Sequence, residues 1–297
     1  MKTRFLSQIY AAENRYACRF CGASCQLPAR MMGISDANKP LELQYSTLEY
    51  ALPGKPQHPV SLIFVIDTCV PQEELTSLLS FLKQILSLIP STFRLGIVTT
   101  GTANHIYDMT STENVSSFAF NSSKDYNNIE YCEMLGLTNV SHTRPSSLLV
   151  PVGEGLLQLT AVLSSIERDG YEPNEESRET RGTGSALSLA LAVLEALSPD
   201  SPGRVLLFTG GPCTTGPGQV VGTSRAETMR QRINFEKETD LKYFDRATQF
   251  YTQLAHRAAA QGHCVDLFMA AQDQVGFAEM QPLSDFTGVD FFVFRIG

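Results

Sequence analysis

The chain has 297 residues, 43% of them hydrophobic, and carries 31 acidic against 23 basic side chains for a formal charge of -8. That length suits one large domain, or one domain plus a small module. The acidic balance excludes a surface built mainly to grip nucleic acid, where clustered Lys and Arg neutralise phosphates. The seven cysteines are odd in number and, outside positions 18–25, scattered. No disulfide framework is visible, so a reducing, cytosolic compartment is expected. The opening "MKTRFLSQIYAAENRYAC" has too short and broken an apolar stretch for a secretory signal. No apolar run approaches the roughly 20 residues that span a bilayer, so any membrane contact is expected to be peripheral.

The first chemical signal along the chain is Cys18 and Cys21 in "YACRFCGASCQLP", the spacing of a zinc knuckle. Structural zinc takes four Cys or His ligands, and a Cys-x-x-Cys pair supplies two. Cys25 is a poor third at its short spacing, and the competing reading is a pair of reduced thiols. "SDANKP" and "ALPGKPQHP" read as loops around an extended piece, "LELQYSTLEY". They separate a partial zinc-finger module and linker, residues 1–50, from a larger domain, residues 51–297.

That domain opens with "VSLIFVID", too apolar for a surface strand and suited to a central one covered on both faces. In "PQEELTSLLSFLKQILSLIP", Leu75, Leu78, Leu79, Leu82, Ile85, Leu86 and Ile89 recur at helical steps, and Pro90 stops the pattern. A strand at "FRLGIVTT", a helix near 154–168, a buried helix at "GSALSLALAVLEAL" and a strand at "RVLLFTGG" come next. A long helix at "TDLKYFDRATQFYTQLAHRAAAQG" and strands at "HCVDLFMAA" and "VDFFVF" complete the series. Such alternation predicts an α/β fold with a doubly wound, mostly parallel sheet. The polar stretch 101–150 and "RDGYEPNEESRETRG" are expected as surface excursions.

Ligands in such sheets sit at the carboxyl ends of the strands, here Asp67-Thr68-Cys69, Thr99-Thr100-Gly101 and Gly210-Gly211-Pro212. Asp67 resembles the first residue of the Asp-x-Ser-x-Ser metal site of von Willebrand A domains. Cys69 and Pro71 stand where the two serines would, and Thr209-Gly210-Gly211 stands where another Asp is usual. Hard cations want several oxygens, so Asp67 with Thr183 makes a poor cage. Asp67 is read instead as a helix cap or an acceptor for neighbouring amides. "GGPCTTGPG" lacks the Lys-Ser/Thr of a phosphate loop and reads as a structural turn. The five histidines show no metal spacing, and Cys69 and Cys213 read as buried small residues rather than nucleophiles.

Taken in order, "YACRFCGASCQLPARMMGISDANKPLELQYSTLEY", "PVSLIFVIDTC", "EMLGL", "GTGSALSLALAVLEAL", "GRVLLFTGGPCTTGPGQVVG" and "HRAAAQGHCVDLFMAAQDQVGFAEM" resemble the GTPase-activating subunit of the COPII inner coat, the Sec twenty-three family. The similarity runs from about residue 9 to residue 294. It implies a von Willebrand A-like trunk preceded by an incomplete zinc finger, in which Cys18 and Cys21 match the downstream ligand pair and Cys25 matches none. It further implies a subunit that joins the sister cargo-binding subunit through its trunk, meets a Sar-type GTPase and lies peripherally on endoplasmic reticulum and vesicle membranes. The family's activating arginine resides in a later gelsolin-like domain, so no residue here is assigned that role. The resemblance therefore implies a fragment of a longer subunit, holding less than one zinc per molecule and without enzyme activity of its own. The alternative reading is a metal-dependent von Willebrand A ligand-binding domain.

Overall fold

Ser61–Asp67 (β4) is buried along its whole length, as a near-continuous run of Leu, Ile, Phe and Val dictates for a strand covered on both faces. Alternate side chains point to opposite faces. Ile63 and Val65 enter one core, while Leu62, Phe64 and Ile66 enter another. A computed structural model describes residues 8–17, 24–27, 29, 32, 34, 41–45, 59–138, 146–171, 173–199, 201–237, 241–271, 274–288 and 291–295. The chain divides into two compact units, residues 1–56 and 57–297.

In the first unit, strands Gln8–Tyr10 (β1), Arg15–Ala17 (β2) and Ser24–Gln26 (β3) form an antiparallel sheet. Tyr16 and Leu27 pack at its centre against Ile9 and Ile34. The expected extended piece "LELQYSTLEY" starts instead as a single helical turn, Leu41–Gln44 (α1). Leu, Glu and Gln are better helix formers than strand formers, and that local preference prevails there.

The second unit is an eight-stranded sheet. Besides β4 it contains Arg94–Thr100 (β5), Ala103–Asp108 (β6), Ser116–Asn121 (β7), Val150–Pro151 (β8), Gly203–Thr209 (β9), His263–Ala271 (β10) and Phe291–Arg295 (β11). The order is β11-β10-β9-β4-β5-β6-β7, with β8 pairing beside β5. From β11 to β5 all neighbours are parallel, and β6 and β7 add antiparallel at one edge. The mixed α/β fold with a mostly parallel sheet is therefore as the sequence predicts. The stretch 101–150 is not merely an excursion, because it builds β6, β7 and the short helix Asn128–Met134 (α3). Asn127 caps that helix reciprocally with Glu130, which satisfies two otherwise orphaned amides.

Helices cover the two faces unequally. One face carries Gln72–Leu86 (α2) and Val152–Ser165 (α4). The other carries Thr183–Leu197 (α5), Phe244–Ala260 (α7) and Phe277–Thr287 (α8); the short helix Arg232–Lys237 (α6) precedes α7. All but Glu195 and Ala196 of the fifteen α5 residues are buried, as a helix apolar all round requires. Each fully buried Leu there contributes roughly 1.5–3 kcal/mol. The sequence reading does not include α8, since Pro282 lies inside it and interrupts the helical signal.

His263 opens β10 and is only 1% exposed, with neither ring nitrogen hydrogen-bonded among the described residues. Burial pushes its pKa below the ordinary 6.5. The unfolded chain then binds the extra proton more readily. The contribution is fully present above about pH 6.5 and is lost as pH falls toward the lower folded value. His263→Leu is expected to flatten the stability profile below that pH in urea unfolding. A profile identical to that of the unmutated protein would contradict this origin.

Candidate functional site

The chain passes from β4 to β5 on one side and later returns to lay β9 on the other. The topological switch point, where doubly wound sheets bind ligands, therefore lies between Asp67 at the end of β4 and Thr209 at the end of β9. Asp67 is 1% exposed. Its Oδ1 accepts from the Cys69 amide at 2.8 Å. Its Oδ2 accepts from the Gly210 amide at 3.0 Å, the Thr209 hydroxyl at 3.2 Å and Arg181 Nε at 2.8 Å. Helix α2 begins after Pro71 with no side-chain cap, so of the two roles read for Asp67 it plays the amide acceptor.

Arg181 closes the site. Its guanidinium also donates through Nη2 to the Cys69 carbonyl at 3.1 Å. It lies so close over Gly211 that a Cβ there would sit 2.6 Å from Nη1. Its backbone is tied as firmly: the amide donates to Thr214 Oγ1 at 2.8 Å, and the carbonyl accepts from the Thr214 and Thr215 amides at 3.0 and 3.2 Å. Burial opposes the guanidinium charge, but the surrounding acidic groups, Asp67 foremost and Glu179 beyond it, together outweigh it, and the pKa of Arg181 rises. The charged stretch 168–182 was expected on the surface; Arg181 near its end is buried because Asp67 needs a counter-charge. The signal for this was a lone Arg directly before the apolar helix "GTGSALSLALAVLEAL".

A divalent cation does not fit this set. Asp67 alone offers carboxylate oxygens, and both already accept hydrogen bonds. Burial first, then the Asp67 charge, holds the Cys69 thiol far above its usual range, so it supplies no thiolate. Pro71 has no donor atom to offer. Among the described residues no group of three or more His, Cys, Asp or Glu could hold a metal. Asp169, the next carboxylate along this edge, is also committed. It occupies the space left by the missing side chain of Gly101, and accepts from the Thr102 amide at 2.6 Å, the Thr102 hydroxyl at 3.1 Å and the Tyr171 amide at 2.9 Å.

The turn "GGPCTTGPG" folds onto itself rather than cradling an anion. Thr214 Oγ1 donates to the Glu179 carbonyl, the Val220 amide reaches the Cys213 carbonyl, and the Gln219 side chain bridges the Thr214 and Val221 carbonyls. Gly216 adopts φ +73°, and a Cβ on it would sit 2.2 Å from the Ser122 carbonyl. Cys213 is buried and its thiol is pushed up by burial, in keeping with a packing residue. Tyr251 on α7 fixes the turn by donating to the Gly218 carbonyl at 3.0 Å. Cys18 and Cys21 lie outside the described residues; Cys25 is a free, exposed thiol on β3. Of the histidines, His105 meets Ser117 and His256 lies tilted against Phe286.

Residues 57–295 match the Sec23/Sec24 trunk domain. The chain belongs to that family. Among solved structures the fold is similar to the human COPII-coat protein Sec24c at 19% identity and a TM-score of 0.55, covering 97% of this chain and 38% of that one. This trunk chain thus spans under two fifths of the length of that coat protein. A von Willebrand factor type A protein from Catenulispora acidiphila matches at 10% identity with a TM-score of 0.42, over 81% of this chain and 39% of that one. In this trunk domain Asp67 at the switch point is matched by an internal ion pair with Arg181, and an apolar groove beside α2 reaches Asp67, Thr209 and Gly210. No helix among the described residues is long and apolar enough to cross a membrane.

Proposed function

We propose that the chain serves as the trunk of a COPII coat subunit for transport from the endoplasmic reticulum to the Golgi. In this reading it pairs with the sister cargo-binding subunit and meets a Sar-type GTPase while lying peripherally on the membrane. The observation that carries the reading is the match of residues 57–295 to the trunk domain. The closed switch point supports it, because a sheet edge plugged by Arg181 suits a scaffold better than a substrate pocket. The alternative of a metal-dependent ligand-binding domain is disfavoured by the same plug.

The zinc-finger remnant belongs to the proposal as well: Cys18 and Cys21 would supply two of four zinc ligands, with the remaining two outside this sequence. The stimulating arginine is likewise assigned to a part of the complete subunit that this sequence does not include. An arginine finger is worth about 10³ to 10⁵ in rate. In a single-turnover assay, the 297-residue chain is therefore expected to leave GTP hydrolysis by a Sar-type GTPase at its intrinsic rate. Acceleration by about three orders of magnitude, the lower end of that range, would sink the assignment.

A further inference from the structure

Three buried oxygens meet without a partner at the carboxyl edge of the sheet, on the face that α5 covers. Asp67 lies opposite Thr100 in the parallel pairing of β4 with β5. The antiparallel register of β5 with β6 places Val98 opposite Ile106 and Thr99 opposite His105, which sets Asn104 opposite Thr100. Strand alternation gives Thr100 the face of Val98 and Asn104 the face of Ile106, and those two apolar side chains belong to the core that holds α5. Thr183 opens α5 over the same edge, because Asn104 Nδ2 donates to the carbonyl of the preceding Gly182 at 3.3 Å and to Ser185 Oγ at 2.6 Å. Thr100 and Asn104 are 0% exposed and Thr183 is 1% exposed. Among the described residues, Thr100 Oγ1, Asn104 Oδ1 and Thr183 Oγ1 have no hydrogen-bond partner, although buried polar groups are ordinarily paired.

The chemistry of the three atoms selects what they can hold. Ser185 Oγ donates its own proton toward the carbonyls of Ser122 and Gly182, both at 2.9 Å. With the Gly182 carbonyl able only to accept, the Asn104 amide is fixed in orientation and its Oδ1 is a pure acceptor. One acceptor beside two hydroxyls asks for a small neutral molecule that both donates and accepts. An anion is repelled by Asn104 Oδ1 and by the neighbouring Asp67 carboxylate. A cation is opposed by the positive end of the α5 dipole, and Asp67 is already matched by Arg181. Side chains opposite each other in an antiparallel pair stand about 4.5–5.5 Å apart at Cβ, a gap that a water can bridge. We propose that these residues bind one structural water molecule, which accepts from the Thr100 and Thr183 hydroxyls and donates to Asn104 Oδ1. Three bonds are the usual number for a buried water. The bridge ties β5 and β6 to the first turn of α5, which has no side-chain cap, and so steadies the segment that carries Arg181 two residues earlier. The proposal does not depend on the coat reading.

The test is a crystal structure of the 297-residue chain at a resolution that shows ordered water, joined to urea unfolding of two variants. A density peak is expected about 2.7–3.2 Å from all three oxygens, and it should persist in crystals grown with tetramethylammonium as the sole monovalent cation. Thr100→Val and Thr183→Val each keep the shape of the side chain and remove one partner of the water, so each should lower the urea midpoint. A hydroxyl with nothing bound to it predicts the opposite sign, since deleting an unpaired buried polar group is stabilising. A rise in the midpoint of either variant, or no peak between the three oxygens, would overturn the proposal. A peak that disappears in tetramethylammonium would overturn it as well, because the occupant would then be a sodium or potassium ion.

Discussion

Arg181→Ala is expected to lower the unfolding free energy by about 3–5 kcal/mol, the cost of leaving a buried charge without its partner. Asp67 is held by two amides and a hydroxyl in addition to Arg181, so it stays in place while its charge goes uncompensated. Asp67→Asn should cost less, because its Oδ1 can still accept from the Gly210 amide and the Thr209 hydroxyl, losing only the Cys69 amide bond, and the guanidinium it strands can swing toward solvent. The pair Asp67→Asn with Arg181→Ala should then be milder than the two losses added, which a double-mutant cycle in urea reads directly. Strict additivity, or a loss below about 1 kcal/mol for Arg181→Ala, typical of an exposed pair, would show that the ion pair does not close the switch point.

Tyr251→Ala is expected to rank next, at about 3–5 kcal/mol for deleting a wholly buried aromatic side chain. The ring lies against Phe250 at 5.2 Å, and its hydroxyl serves the Gly218 carbonyl. Tyr251→Phe keeps the ring and removes only that hydrogen bond, for about 1 kcal/mol. The contrast separates packing from the tie to the 210–221 turn. Equal losses for the two variants in urea unfolding would mean that the hydrogen bond, and not the ring, fixes the turn. Gly184 adds an independent constraint on the same turn, since a Cβ there would sit 2.1 Å from the Pro217 carbonyl. Helix and turn backbones touch at that point, which explains why the buried helix opens with "GTGS".

The architecture was legible wherever burial imposes a strong period. β4 reads as a central strand because both its faces are covered, and α2 reads as a helix because seven apolar residues fall at three- and four-residue steps. β7 escaped because it is an edge strand exposed at all but one position, so no apolar alternation marks it. β6 escaped because Asn104 and His105 interrupt its pattern; Asn104 is nevertheless fully buried, donating to Ser185 Oγ at 2.6 Å. At the switch point, the sequence located Asp67 and the Thr209–Gly211 exit but not their partner. Arg181 lies 114 positions from Asp67 within a charged run, and composition alone assigns such a run to solvent. Only the fold shows that Arg181, next to last in the run, turns inward.

The central claim is that this chain is a coat trunk that acts by association. The most direct test is light scattering after size exclusion of the 297-residue chain mixed with the sister cargo-binding subunit. The account predicts a one-to-one complex that forms without added magnesium and persists in chelator, because both Asp67 oxygens are already committed to Arg181 and to neighbouring donors. Two separate peaks, or a complex that forms only with magnesium, would contradict it.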